Sequence, residues 1–323
     1  MSAKVLSIVG PTGVGKSNLA LELARQCRQQ HLNIEIISMD SALVYRGMDI
    51  GTAKPTAAEQ AEVTHHLIDI RDPSESYSAA HFASDAKQLI EEIQARGHIP
   101  LIVGGTMLYW RAWVYGFSKL PPADPQTRKQ LDDEAALLGW PGMHAKLAQI
   151  DPVTASRLQP NDSQRIQRAL EVYALTGQPI SQLFEESPSA TGRDSELSEH
   201  AVEVISLEPS NRQSLHTRLE ERFDQMLENN FMDEVRSLFE RGDLHTNLPA
   251  IRSVGYRQVW EYLEGKVDYS TMKQKAYAAT RQLSKRQMTW LRAMQRHTFD
   301  PLNPAELQAA KSMAMVTLQR SFK

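Results

Sequence analysis

A single cysteine, Cys27, among 323 residues excludes an internal disulfide and any zinc site built from cysteines. Leu19, Leu23 and Cys27 recur every four residues on one helical face, so the thiol is expected to be a small buried apolar group rather than a reactive one. No apolar run approaches the roughly 18 residues of a membrane span. The first residues carry one lysine followed directly by a strand-like stretch rather than a signal peptide, so the chain is expected to be cytoplasmic, with no membrane partner. No internal repeat is evident. Net charge is also scarce, at -3, which by itself argues mildly against a nucleic-acid partner.

What is present is ordinary in amount and uneven in placement. With 41% hydrophobic and 23% charged residues, the chain can bury the cores of two domains. Between Ala250 and His297 ten Lys or Arg face three acids, a net +7 hidden beneath the near-neutral total. Residues 4–9 read as a buried strand, followed by a Gly-rich turn and a helix over 17–29. Further strands are expected over 34–39, 67–70 and 100–103, with a helix over 79–95 ending at Gly97. Alternating strands and helices predict an α/β fold, a parallel sheet with flanking helices.

The character changes after Phe117, where Leu120-Pro121-Pro122-Ala123-Asp124-Pro125 marks a turn-rich boundary. A helix is expected after an Asn161 N-cap, with Ile166, Leu170 and Tyr173 as its apolar stripe and Gly177 closing it. Residues 185–200 are polar and read as a mobile loop. Residues 201–207 read as a strand again, so 118–200 is expected to be a helical insertion domain in a core formed by 1–117 and 201–323. A last long helix is expected over 272–296. At about 100° per residue, Ala276, Ala279, Leu283, Trp290 and Met294 fall on one side. Arg281, Lys285, Arg292 and Arg296 fall on a nearly opposite one, a candidate surface for the phosphates of an RNA.

Gly10-Pro11-Thr12-Gly13-Val14-Gly15-Lys16-Ser17 fits the P-loop pattern in full, between a strand and a helix. The glycines let backbone N–H groups surround phosphate oxygens, the helix N-terminus adds positive potential, Lys16 reaches the terminal phosphates, and the Ser17 hydroxyl can bind Mg²⁺. A nucleotide hydrolase also needs a carboxylate after a hydrophobic strand. Here Leu101-Ile102-Val103 runs into Gly104-Gly105-Thr106 without an acid, while Asp40 ends the other strand. From position alone Asp40 can be a metal ligand, a general base or the N-cap of the next turn. Arg222 and Arg128 read as solvated helix charges. His65-His66 point apart and have no evident partner cluster, and Asp69 and Asp72 read as parts of a turn around Arg71 and Pro73.

Four runs in order, Gly10 to Ser17, Asp40 to Pro55, Gly104 to Tyr109 and Arg252 to Arg257, together resemble the bacterial tRNA dimethylallyltransferases over nearly the whole chain. The resemblance implies a P-loop NTPase-like core in which the loop holds dimethylallyl diphosphate, with Mg²⁺ as cofactor. It implies N6 of the adenosine beside the tRNA anticodon, at position 37, as acceptor. Asp40 matches the family's base, Thr106 a contact to the reacting adenine, and Arg222 an arginine that completes the clamp begun by Lys16. RNA contacts are implied at Asp40, Ser41, Ala42, Leu43, Thr106, Arg128, Gln164, Arg165, Ile166, Gln167, Arg168, Arg252, Ser253, Val254, Gly255, Tyr256 and Arg257. Met107 departs from the glycine of many relatives. Competing readings are a small-molecule P-loop kinase, a prenyltransferase of free adenine nucleotides, and a non-catalytic RNA-binding NTPase switch. A monomer is expected.

Overall fold

A computed structural model describes residues 4–116, 120–185 and 201–321. Six strands, β1 (Val5–Val9), β2 (Ile34–Met39), β3 (His65–His66), β4 (Ile99–Gly104), β5 (Val202–Leu207) and β6 (His297–Phe299), form one sheet in the order β3-β2-β4-β1-β5-β6. Every pairing is parallel. The central strands are near-continuous apolar runs because both faces of a parallel sheet are covered. β1, β2 and β4 are buried along their whole length.

In chain order the helices are α1 (Lys16–Gln29), α2 (Ala57–Glu62), α3 (Ala79–Ala95), α4 (Met107–Tyr115), α5 (Pro125–Ile150), α6 (Pro152–Ala155), α7 (Ser163–Thr176), α8 (Ile180–Glu185), α9 (Arg212–Glu228), α10 (Phe231–Phe239), α11 (Tyr256–Leu263), α12 (Tyr269–Leu291) and α13 (Pro304–Ser321). Among the described residues, 4–114 and 201–321 make one compact unit and 115–116 with 120–185 make a second. In the first, α1 and α13 share a core with the sheet: Leu19, Leu23 and Cys27 meet Ala310, Ala314 and Leu318. In the second, Leu131, Met143, Leu147, Ile166 and Leu170 form a separate core.

Register fixes where the loops emerge. Val9 pairs with Gly104, and Gly104 pairs with Met39, so the residues following these three strands leave the sheet at one level. Those are the P-loop, Asp40 and Gly105-Thr106, gathered outside the carboxyl ends of parallel strands where such folds bind ligands. The fit is close: a Cβ on Gly104 would lie 2.0 Å from the Met39 carbonyl oxygen, so only glycine allows β2 and β4 to end side by side.

Several expected boundaries move. The third strand is His65–His66 rather than 67–70, because Leu67 and Asp69 take left-handed backbone angles (φ 62° and 57°) that a strand does not admit. The N-cap of α7 is Asp162, whose carboxylate accepts the Arg165 N–H, rather than Asn161, and Tyr173 is exposed instead of joining the buried stripe. The Gly177 cap is as expected, with φ 71°. In α5, Gly139 (φ 68°, ψ 162°) breaks the helix just ahead of Pro141, whose missing N–H and ring disfavour an unbroken turn. The helix expected over 272–296 begins at Tyr269 and stops at Leu291, and it is not the last: β6 and α13 follow. The Phe117 boundary and residues 186–200 of the expected loop lie outside the described residues; Glu185 ends α8.

Candidate active site at the strand ends

The P-loop departs from β1 against β5. A Cβ on Gly10 would meet the Leu207 carbonyl oxygen at 2.6 Å, and one on Gly13 would meet the Leu219 side chain at 2.6 Å. Gly15, at φ 96°, is the left-handed N-cap that turns the chain into α1. Val14 is buried as the loop's anchor, while Ser17 is exposed in the first helical turn. Lys16 curls back over the loop and donates to the Pro11 carbonyl at 2.8 Å. Burial pushes the Lys16 ammonium down to about 8; Asp40 opposes that shift and Arg222 adds to it.

These mutual influences define the site electrostatically. Arg222, on α9, is likewise held below its ordinary value, first by burial, with Asp40 acting in the opposite direction and Arg218 in the same. Read from its sequence neighbourhood alone, Arg222 was expected to be solvated. Instead α9 turns it toward the cavity, and Lys16 and Arg222, both half-buried, feel the charge of the same carboxylate. One Asp40 oxygen accepts the Ala42 N–H at 2.8 Å, so Asp40 does cap the turn after β2, but it also faces a cavity of about 480 Å³. Thr106 caps the neighbouring turn: its N–H donates to the Met39 carbonyl at 3.2 Å, and its hydroxyl oxygen accepts the Ser41 N–H at 3.1 Å.

Of the residues expected at the site, Thr12, Asp40, Ser41, Ala42, Thr106 and Arg222 line this cavity, and so do Arg252, Ser253, Val254, Gly255 and Tyr256. Leu43, Arg257 and the P-loop residues other than Thr12, Lys16 and Ser17 among them, do not, and Arg257 pairs with Glu261 at 3.1 Å along α11. Arg252 is exposed at the cavity. The long run after Asp40 is held to the rest of the unit by Glu234, which the sequence reading missed. Its carboxylate accepts the N–H groups of Asp49, Ile50 and Gly51 and the Tyr256 hydroxyl. Lys54, its ammonium almost wholly buried, closes the same run on Asp49, Asp69 and the Tyr45 carbonyl.

On α12 the buried residues are Met272, Ala276, Tyr277, Ser284 and Leu291, whereas Leu283 and Trp290, expected to pack into the body, line the cavity. Arg281 is bonded to Glu220, and Arg296 lies beyond the helix end, bonded to Glu208. Lys285 and Arg292 are exposed. The expected four-membered basic stripe is thus two exposed charges and two paired ones. Gln287 was also missed: its side chain joins Thr12 to Gly105. The available signal was a lone polar residue within about 40° of Leu283 on the apolar side of the helix.

In the second unit Glu171 is fully buried and gathers Arg128 at 2.8 Å, Arg168 at 2.6 Å and the Asp124 N–H at 2.9 Å. Burial opposes the ionised carboxyl, yet the two arginines hold its pKa below the ordinary value. Arg165 remains exposed beside Asp162, whereas Arg168 is committed to Glu171 and the Pro121 carbonyl. Gln164 is exposed, Ile166 is buried in the core, and Gln167 donates to Asp132 at 2.7 Å.

The remaining candidates are structural. Burial pushes the Cys27 thiol up to about 11, unsuited to reactivity. His66 joins Arg96 and His98 around Glu35, which they hold down to about 2 despite its burial. Asp72 pairs with Arg241 at 2.9 Å, Asp69 with Lys54.

The chain as a whole is similar to known proteins. The family model for IPP transferase matches residues 43–294. A tRNA dimethylallyltransferase of Polynucleobacter asymbioticus is 61% identical over 307 residues, covering 95% of this chain and 92% of its own. One from Cupriavidus necator is 54% identical over 312 residues, covering 96% and 95%. The solved tRNA isopentenylpyrophosphate transferase of Bacillus halodurans superposes with a TM-score of 0.68 at 36% identity, over 99% of this chain and 98% of that one. A eukaryotic dimethylallyltransferase acting on tRNA superposes with a TM-score of 0.78 at 26% identity, over 99% and 79%.

Proposed function

Because the chain belongs to the IPP transferase family, we propose that it transfers the dimethylallyl group of dimethylallyl diphosphate to N6 of adenosine 37, next to the anticodon of tRNA, releasing diphosphate. The observation that carries the reading is the cavity in which Thr12 of the P-loop, Asp40, Thr106 and Arg222 meet at the ends of β1, β2 and β4 and on α9. The same reading takes the chain to act as a cytoplasmic monomer.

The lone pair of an adenine amine is delocalised into its ring, so N6 attacks only as it loses a proton. Asp40 receives that proton. Thr106, fixed against Ser41 and Met39, holds the base edge beside it. The new N6–carbon bond forms as the allylic carbon–oxygen bond breaks, and the electron pair leaves with the diphosphate. Lys16, Arg222 and the loop amides would meet that charge as it develops, Lys16 by exchanging the Pro11 carbonyl it now bonds for a phosphate oxygen. The adenine reaches the cavity only by leaving its stack, and Arg252 at the rim suits contact with an unstacked base or its phosphate.

Among the described residues no cluster of three or more His, Cys, Asp or Glu is placed to hold a metal. Mg²⁺ bound through phosphates keeps most of its waters and takes few protein ligands, so the donor set here, the exposed Ser17 hydroxyl beside the loop, fits it. When bound, the ion would neutralise charge on the diphosphate.

The test is Asp40→Asn. Asparagine keeps an oxygen for the Ala42 N–H and so preserves the turn, but it accepts no proton. Turnover is expected to fall roughly 10²- to 10⁴-fold with tRNA affinity within a few fold. Near-normal kcat would remove Asp40 as the base.

A further inference from the structure

We propose that Gln287 is a positioning residue that fixes the diphosphate-holding loop relative to the acceptor-holding turn. The proposal rests on the function just assigned and adds a residue to it.

Gln287 reaches from α12 between two turns that belong to different strands. Its Oε1 accepts the Thr12 N–H at 2.9 Å, and its Nε2 donates to the Gly105 carbonyl at 2.9 Å. Both contacts are to backbone, so they set main-chain positions rather than side-chain rotamers. They also assign the amide unambiguously, since a backbone N–H requires the oxygen and a backbone carbonyl requires the NH₂. The turn has little slack. A Cβ on Gly105 would stand 2.5 Å from Nε2 and 3.2 Å from the Gly10 carbonyl oxygen, which places Gly105 between the start of the P-loop and the Gln287 amide.

The next residue is Thr106, whose hydroxyl oxygen and N–H hold Ser41 and Met39, the residues flanking Asp40. A short relay therefore runs from Thr12 through Gln287 and Gly105 to Thr106 and the Asp40 turn. Leu283 and Trp290, one helical turn to either side of Gln287, line the same cavity, so the amide is presented on the cavity face of α12. In-line attack requires the donor carbon and the acceptor nitrogen within a few tenths of an ångström of a productive separation, and small misplacements are costly. One side chain bonded to both halves supplies that registration.

Three variants separate this role from packing. Gln287→Met keeps length and bulk without either hydrogen bond. Gln287→Glu keeps the acceptor for Thr12 but loses the donor to Gly105 and places a negative charge beside the diphosphate site. Gly105→Ala displaces the amide from the other side. For Gln287→Met, kcat/KM for dimethylallyl diphosphate is expected to fall roughly 10- to 100-fold, shared between a higher donor KM and a lower kcat, with tRNA KM within twofold and an unchanged thermal midpoint. Gln287→Glu should not rescue, and its donor KM should rise further. The double variant Gly105→Ala with Gln287→Met should lose less than the two single losses combined, because both break the same bond. If Gln287→Met folds poorly, the Gly105→Ala split between donor and tRNA parameters carries the same test.

Wild-type-like kinetics in Gln287→Met overturns the proposal. So does a loss confined to tRNA KM, which would make Gln287 an RNA contact, or full activity in Gln287→Glu, which keeps the Thr12 bond and would leave the Gly105 bond without a role. A wild-type chain that transfers no prenyl group fails the functional assignment itself, and that result is read before any variant is made.

Discussion

Three charges, Lys16, Asp40 and Arg222, act on one another at the ends of β1 and β2 and on α9, and their balance sets how the site responds to pH. The Lys16 ammonium is pushed down to about 8 by burial, more than Asp40 pulls it up, so in the free enzyme the proton is present below about pH 8 and lost above it. Because kcat/KM reports the free enzyme, kcat/KM for the diphosphate donor should fall as pH rises through about 8. Once a diphosphate is bound, its negative charge holds the proton on Lys16, so kcat should stay level further into the alkaline range. Lys16→Arg, charged throughout, should remove the alkaline limb even where it lowers the rate. Parallel pH profiles of kcat and kcat/KM for the two proteins are the measurement, and an alkaline limb retained by the arginine variant would assign it to another group.

At the scale of elements, α12 divides its work among three faces. Met272, Ala276 and Leu291 bury it, Leu283, Gln287 and Trp290 shape the cavity, and Lys285 and Arg292 face solvent. Arg281 is committed to Glu220. If the exposed pair docks tRNA phosphates, each contact releases counterions and contributes roughly 0.7 to 0.9 to the slope of log affinity against log salt. Replacing Lys285 and Arg292 together by Gln should weaken tRNA binding and flatten that slope, leaving donor KM unchanged, whereas Arg281→Gln should alter the slope much less. Binding isotherms over a range of salt concentrations decide it; equal slopes in the wild type and the double variant would make these ordinary solvated charges.

This helix also shows where reading from sequence stops. Periodicity identified an amphipathic helix and its charged side, because those depend on spacing within one segment. It could not distinguish an apolar face buried against the body from one lining a cavity, since both exclude polar residues. Nor could it see that Gln287 meets partners 275 and 182 positions away. The P-loop and Asp40 were legible for the opposite reason. A phosphate loop is a contiguous backbone device with its glycines at fixed spacing, and a strand ending in an acid places that acid at the sheet edge. Arg222 lay between: only the resemblance drew attention to it, and only the packing of α9 explains its burial.

Across the whole molecule, a chain of net charge -3 concentrates +7 between Ala250 and His297, of which Lys273, Arg281 and Arg296 are paired with acids outside that run, and gathers a phosphate loop, a carboxylate and a threonine at one end of a parallel sheet. A polyanionic acceptor and a diphosphate donor account for both features together, which neither a small-molecule kinase nor a prenyltransferase of free nucleotides does. The most direct measurement is incubation with dimethylallyl diphosphate labelled in its prenyl group and unmodified tRNA, with ATP and AMP offered as alternative donor and acceptor. The account predicts label on N6 of the adenosine next to the anticodon, one diphosphate released per label, no label in AMP and negligible phosphate from ATP. Label entering AMP but not tRNA, or tRNA-stimulated release of phosphate from ATP without any label in the RNA, would contradict it.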